Sequence, residues 1–210
     1  MRYKDKPLVI ITMAGNGGRM GGKNKPLLEI GGMTILENYL RLFKEHDITL
    51  VVGYNADKIK EEYPTSVYNN LLYIKNERWA FTNSAHSLAL ALSFHYGYGS
   101  LRETIILDGD LWFDFYPIKH GFYTKPLKES VIYKNGKDCY IDDCKGIFVG
   151  IARVTKEQCE EYLTSYPNMC YNSNRYWCNL FNKVETVQCP QNVYEIDTWE
   201  DYKKLSAVKG

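Results

Sequence analysis

The sequence predicts an α/β fold, a three-layer sandwich on a mainly parallel, mixed sheet. Short apolar runs rich in β-branched residues alternate along the chain with segments of helical character. A glycine-rich loop follows the first of these runs, and an acidic tripeptide ends the fourth. In open parallel sheets ligands bind outside the carboxyl ends of the strands, where both segments fall.

Each element has a local reason. Residues Leu8–Met13 are continuously apolar, as a strand covered on both faces requires. Met33–Lys44 reads as a helix, with Thr34 and Glu37 spaced as a capping box at its start. Ile48–Tyr54 and Leu71–Lys75 read as the second and third strands. Asn83–Phe94 is helical, with Leu88 and Leu92 one turn apart. Thr104–Leu107 is a strand that runs into Asp108-Gly109-Asp110. Glu129–Tyr133 and Ile147–Val154 follow as strands, and Thr155 with Gln158 makes a second capping box for a helix to about Ser165. The chain closes with strands at Val184–Gln188 and Val193–Ile196 and a helix capped by Thr198.

Composition narrows the class. A chain of 210 residues without a repeat or low-complexity linker is expected to form one domain, residues 1–210. Hydrophobic residues at 45% and charged residues at 24% exclude a mainly disordered chain. With 26 basic against 25 acidic residues there is no basic excess to favour nucleic acid. No run of about 18 apolar residues exists to span a membrane. The leading apolar stretch, Leu8–Met13, is too short for a signal peptide, so the expected location is cytoplasmic. Cys139, Cys144, Cys159, Cys170, Cys178 and Cys189 include no C-x-x-C and have no histidine at zinc-finger spacing. They are expected as free thiols in a reducing compartment.

The glycine-rich loop runs from Ala14 to Pro26 and carries Arg19, Lys23 and Lys25 among glycines at 15, 17, 18, 21 and 22. Glycines let backbone N–H groups converge on an anion and let phosphate approach without a Cβ in the way. Two common phosphate motifs fail here. The dinucleotide fingerprint fits Gly15 and Gly17 but meets Met20 at its third glycine. A Walker loop fits Gly17, Gly22 and Lys23, but Asn24 stands where a hydroxyl should hold magnesium. What fits is G-x-G-x-R followed by a lysine, on Gly15, Gly17, Arg19 and Lys25.

On these residues the chain resembles the nucleotidyltransferases that make nucleoside-diphosphate sugars and alcohols. Arg19 to Gly22, Lys25, Leu27 and Leu28 look like the molybdenum-cofactor guanylyltransferase branch. Val193 to Tyr202 resembles the end of the bacterial choline-phosphate and phosphonate-alcohol cytidylyltransferases. Asn76 to Ala91 resembles a family stretch in which an Asn-Ser pair, here Asn83-Ser84, lies near the base. The resemblance implies a Rossmann-like nucleotide-diphospho-sugar transferase fold. It implies Mg2+ on Asp110 and Asp197, with Asp108 and Glu195 in support. It implies nucleotide contacts from Ala14, Gly15, Asn16, Gly17, Gly18, Asn76, Asn83 and Ser84, and an acceptor-binding portion at roughly 111–190. Where related cytidylyltransferases often carry an acid after the tryptophan of this region, the chain has Cys178.

The implied chemistry is attack by an acceptor phosphate oxygen on the α-phosphorus of an NTP, with release of pyrophosphate. A phosphate monoester is already largely dianionic at neutral pH, so no general base is needed. Arg19 and Lys25 would neutralise the reacting phosphates. CTP is the favoured nucleotide, GTP the second. Trp79, Trp112, Tyr176 and Trp177 would frame a cationic head group such as choline. The partners are thus an NTP and a small phosphorylated alcohol or sugar; a homodimer is left open. The rivals are a D-x-D glycosyltransferase, a non-catalytic nucleotide-binding domain and a P-loop kinase.

Overall fold

A computed structural model describes residues 3–126, 146–166, 176–181 and 184–209. The expected strand at 129–133 lies outside them. The described chain contains strands β1 (Leu8–Met13), β2 (Glu29–Ile30), β3 (Met33–Thr34), β4 (Ile48–Val52), β5 (Leu71–Lys75), β6 (Thr104–Asp108), β7 (Leu111–Trp112), β8 (Gly121–Pro126), β9 (Gly146–Val154), β10 (Thr186–Gln188) and β11 (Tyr194–Glu195). Its helices are α1 (Ile35–Leu42), α2 (Ala56–Glu62), α3 (Ser84–Gly97), α4 (Lys156–Ser165) and α5 (Trp199–Lys209).

Seven strands form one mixed sheet in the order β10-β8-β9-β6-β1-β4-β5. β1 lies parallel to β4 and β6, β4 to β5, and β8 to β10, while β9 runs antiparallel to both its neighbours. The chain moves outward from β1 to β4 and β5, then returns to place β6 on the other side of β1. This reversal makes the carboxyl end of β1 a switch point, where the connections diverge and leave a crevice.

Strand periodicity divides the core in two. Val9, Ile11 and Met13 of β1 face one side, with Tyr39 of α1, Ile59 of α2 and Leu205 of α5. Leu8 and Ile10 face the other, with Leu88 and Leu92 of α3 and Tyr162 of α4. Helices therefore cover both faces, as the alternating pattern requires.

Local sequence signals place most boundaries. Both capping boxes form, with Thr34 accepting from the Glu37 N–H and Thr155 from the Gln158 N–H. Thr198 likewise accepts from the Asp201 N–H at the start of α5. Met33 and Thr34, expected in a helix, instead form a short hairpin with Glu29 and Ile30 across Gly31-Gly32. Their glycines take φ of +58° and +80°, which non-glycine residues rarely adopt. Helix α2 and strand β8 have weak sequence signals and appear only in the folded chain. The second strand ends at Val52 rather than Tyr54, because Gly53 turns away beside Ala14 and Trp79. Cys159 and Cys189 are free thiols, whereas Cys178 is disulfide-bonded, which corrects the expectation of free cysteines throughout. Spacing alone does not say which sulfurs meet.

One buried hydroxyl anchors the end of β6. Tyr39 Oη lies 2.8 Å from the carbonyls of both Asp108 and Leu111 and accepts the Leu111 N–H at 3.0 Å. The α1 helix thereby holds the turn that carries the acidic tripeptide. Replacing Tyr39 by Phe leaves those groups unpaired in the core. It should cost about 1–3 kcal/mol, or about 2–4 °C of melting temperature per kcal/mol, measured by calorimetry.

Candidate active site

A cleft of about 520 Å³ opens at the carboxyl end of β1. The glycine-rich loop, the end of β6, the start of α3, the bend of β9 and the segment after β11 form its walls. The loop leaves β1 through Ala14 and turns at Gly17, whose φ is +59°. A Cβ there would sit 2.2 Å from the Lys23 carbonyl, so only glycine admits this turn. Asn16 Oδ1 accepts the Gly18 N–H at 3.1 Å. The backbone N–H groups of Gly15, Asn16 and Gly17 donate to no acceptor among the described residues. They remain available to an anion; Gly18, expected to join them, has its amide engaged.

The loop returns Lys25 to the centre of the cleft. Its ammonium donates to Asp110 Oδ2 and to Asp197 Oδ1, each at 2.8 Å. Arg19 pairs with the other oxygen of Asp197. Asp110 comes from the turn after β6, where Gly109 lies against β1: a Cβ on it would reach Met13 Cβ at 2.5 Å. Asp197 arrives because β11 pairs antiparallel with β7, and the Ile196 N–H donates to the Asp110 carbonyl at 2.9 Å. Burial opposes the Lys25 charge, but Asp110 and Asp197 win and hold its pKa above the ordinary value. Burial likewise opposes ionisation of Asp197, yet Lys25 and Arg19 hold its pKa below the ordinary value.

Carboxylate oxygens of Asp110, Glu195 and Asp197 lie within 4.8 Å of one another. Magnesium binds hard oxygen at about 2.0–2.1 Å, so ligands of one ion span at most about 4.2 Å. The trio is wider than that and Lys25 lies against two of its members, but its all-oxygen donor set is one that can hold a divalent cation. Glu195 reaches solvent at the cleft rim. Crowding that strips water from its carboxyl, then the charges of Asp110, Asp197 and Asp108, raise its pKa to about 7.

The structure separates the two aspartates of the tripeptide. Asp108 turns away from the trio, and its Oδ1 accepts from Thr12 Oγ1 at 3.0 Å and Trp177 Nε1 at 2.8 Å. Burial, and then the charge of Asp110, raises its pKa to about 7.

The other expected site residues divide similarly. Asn83 and Ser84 line the cleft; the Asn83 side chain accepts the Ser84 N–H and so caps α3. Asn76 borders the cleft, but its amide donates to Thr82 and Ser87 and accepts from Arg78, so it shapes the loop rather than offering a free donor. Trp79 and Tyr176 stand on the cleft wall. Trp112 does not line the cleft, since β7 places it opposite Tyr194 and within the core. Trp177 touches the cleft but is 1% exposed, edge-on to Phe122 and Phe148, and presents no open ring face. Two of the four aromatics expected to frame a cation are thus structural. Thr12, Tyr39 and Gly150 escaped the sequence analysis. Only Gly150 carried a signal, as an isolated glycine inside a strand.

Residues 9–113 match the MobA-like NTP transferase domain. The chain belongs to that family. No curated protein matches its sequence. Among solved structures it resembles the CTP:phosphocholine cytidylyltransferase of Streptococcus pneumoniae, with a TM-score of 0.73, 20% identity, and coverage of 98% of this chain and 100% of that one. It also resembles the inositol-1-phosphate CTP transferase of T. maritima, with a TM-score of 0.68, 16% identity and 96% coverage of both chains. HddC from Yersinia pseudotuberculosis gives a TM-score of 0.65 at 16% identity, covering 98% of this chain and 100% of that one. The fold is therefore that of nucleotidyltransferases, and no described helix is long and apolar enough to cross a membrane.

The raised Asp108 pKa makes a stability prediction. Between the ordinary carboxylate value of 3.8 and about 7, the folded state keeps a proton that the unfolded state releases. This group therefore favours folding at low pH, and that contribution is lost as pH rises through about 7. Asp108→Asn keeps an oxygen acceptor and removes the titration. The melting temperature of Asp108→Asn minus that of wild type should grow as pH is raised from 4 to 7.5, read by calorimetry.

Proposed function

We propose that this chain is a Mg2+-dependent cytidylyltransferase that transfers CMP from CTP to a small phosphorylated alcohol or sugar and releases pyrophosphate. The single observation that carries this reading is the meeting of Lys25, Arg19, Asp110 and Asp197 beside a glycine loop with unpaired amides. The preference for CTP rests on the Asn83-Ser84 start of α3 and the Glu195–Asp197 tail, together with two neighbours whose names specify CTP. On this reading residues 1–210 act as one domain, with the acceptor held by roughly 111–190. Trp79 and Tyr176, which stand on the cleft wall, suit a cationic, choline-like head group.

The amides of Gly15, Asn16 and Gly17 hold the triphosphate. Arg19 and Lys25 neutralise the α-phosphate and the departing pyrophosphate, where charge accumulates in the transition state. Asp110 and Asp197, with Glu195 beside them, would hold the metal, which would supply further positive charge to the phosphates. The acceptor phosphate attacks in line as a dianion, so the protein's work is alignment and electrostatics rather than proton transfer.

Thermal shift against four NTPs, with and without magnesium, tests this without an acceptor. CTP at about 100 times its Kd should add about 2.7 kcal/mol in the presence of magnesium, and Asp110→Asn should lose most of that. A shift with GTP alone would reassign the nucleotide to the guanylyl branch. A shift only with a nucleoside-diphosphate sugar would overturn the reading. In pyrophosphate release from CTP and phosphocholine, Lys25→Met should lower kcat by about 10²–10³-fold.

A further inference from the structure

Asp108 stands in the acidic tripeptide at the cleft, yet every contact it makes leads away from the carboxylate trio. Oδ1 accepts from both Thr12 and Trp177. Oδ2 points at Gly150, where a Cβ would lie only 2.7 Å away. Gly150 has φ of +77° and lies in an irregular stretch of β9, where Phe122 pairs with Ala152 but Thr124 pairs with Phe148. The bulge and the missing side chain make room for this carboxylate. Trp177 in turn is pinned at both ends, since its backbone N–H donates to Ser84 Oγ at 3.3 Å and its indole N–H donates to Asp108. Its neighbour Tyr176 is 37% exposed and forms part of the cleft wall.

We propose that Asp108 is the positioning residue of the acceptor side: through the Trp177 indole it fixes residues 176–178 as the wall against which the acceptor is bound. The two aspartates of Asp108-Gly109-Asp110 then have separate tasks, Asp110 on the metal and phosphates and Asp108 on the wall. The identity of the ligand at this wall rests on the nucleotidyltransferase reading; the indole contact does not. A buried indole N–H needs an acceptor, and among the described residues Asp108 is the one it has.

The test compares Asp108→Asn, Asp108→Ala, Trp177→Phe and the Asp108→Ala/Trp177→Phe double variant. Asn retains an oxygen that accepts both hydrogen bonds, so Asp108→Asn should keep the wild-type KM for CTP, KM for phosphocholine and magnesium requirement. Asp108→Ala and Trp177→Phe should each raise the phosphocholine KM by about tenfold, the loss of the buried hydrogen bond between them. Their CTP KM and CTP–magnesium thermal shift should stay unchanged, and the double variant should be no worse than either single one. A raised magnesium requirement in Asp108→Asn would overturn the proposal in favour of metal ligation. Additive effects in the double variant would overturn the coupling.

A second readout is independent of turnover. The Trp177 indole N–H resonance, assigned by its loss in Trp177→Phe, should exchange slowly in wild type and Asp108→Asn and rapidly in Asp108→Ala. Equal exchange in all three overturns the proposal. A wild-type protein that binds CTP but does not use phosphocholine overturns only the acceptor assignment, and the indole resonance then decides the role of Asp108.

Discussion

The cleft depends on one buried cation. Lys25 is largely enclosed, and an enclosed ammonium is tolerated only when opposite charge meets it at hydrogen-bond distance. Asp110 and Asp197 supply that charge from 85 and 172 residues away. Their convergence ties the glycine loop, the β6 turn and the start of α5 into one unit. Removing either carboxylate leaves the ammonium short of a partner. Removing Lys25 leaves two carboxylates facing each other, which favours any divalent cation that can replace it. The same charges that hold the loop are those to which the proposed function gives the phosphate and the metal.

That convergence is possible because the backbone around it is held from behind. Tyr39 grips the carbonyls of Asp108 and Leu111 from α1. Gly109 lets the β6 turn lie against β1, and Gly53 lets the end of β4 approach Ala14 and Trp79. The β7–β11 ladder carries the C-terminal segment across to Asp110. On the opposite wall, Asp108 and Ser84 hold Trp177, so residues distant in sequence share a few anchoring points at the ends of β1 and β6. Membership of the MobA-like NTP transferase domain agrees with this layout, while Trp177 and Asp197 lie beyond the matched residues 9–113.

The sequence by itself determined the elements whose signals are local. β1, β5 and α4 stand where apolar runs and a capping box put them, since such runs and caps act over a few residues. The glycine loop and the position of Asp110 were legible for the same reason. Their roles were not separable, however, because D-x-D spacing does not say which carboxylate faces which wall. Only the tertiary structure decided that Asp108 turns to Trp177 and Thr12 while Asp110 turns to Lys25. It also decided that Trp112 and Trp177 are buried and that Asn76 has its amide engaged. Aromatic and amide side chains serve cores and sites equally well. Their task is set by burial and by which partners the fold brings within hydrogen-bond distance, and those partners lie beyond the reach of local pattern.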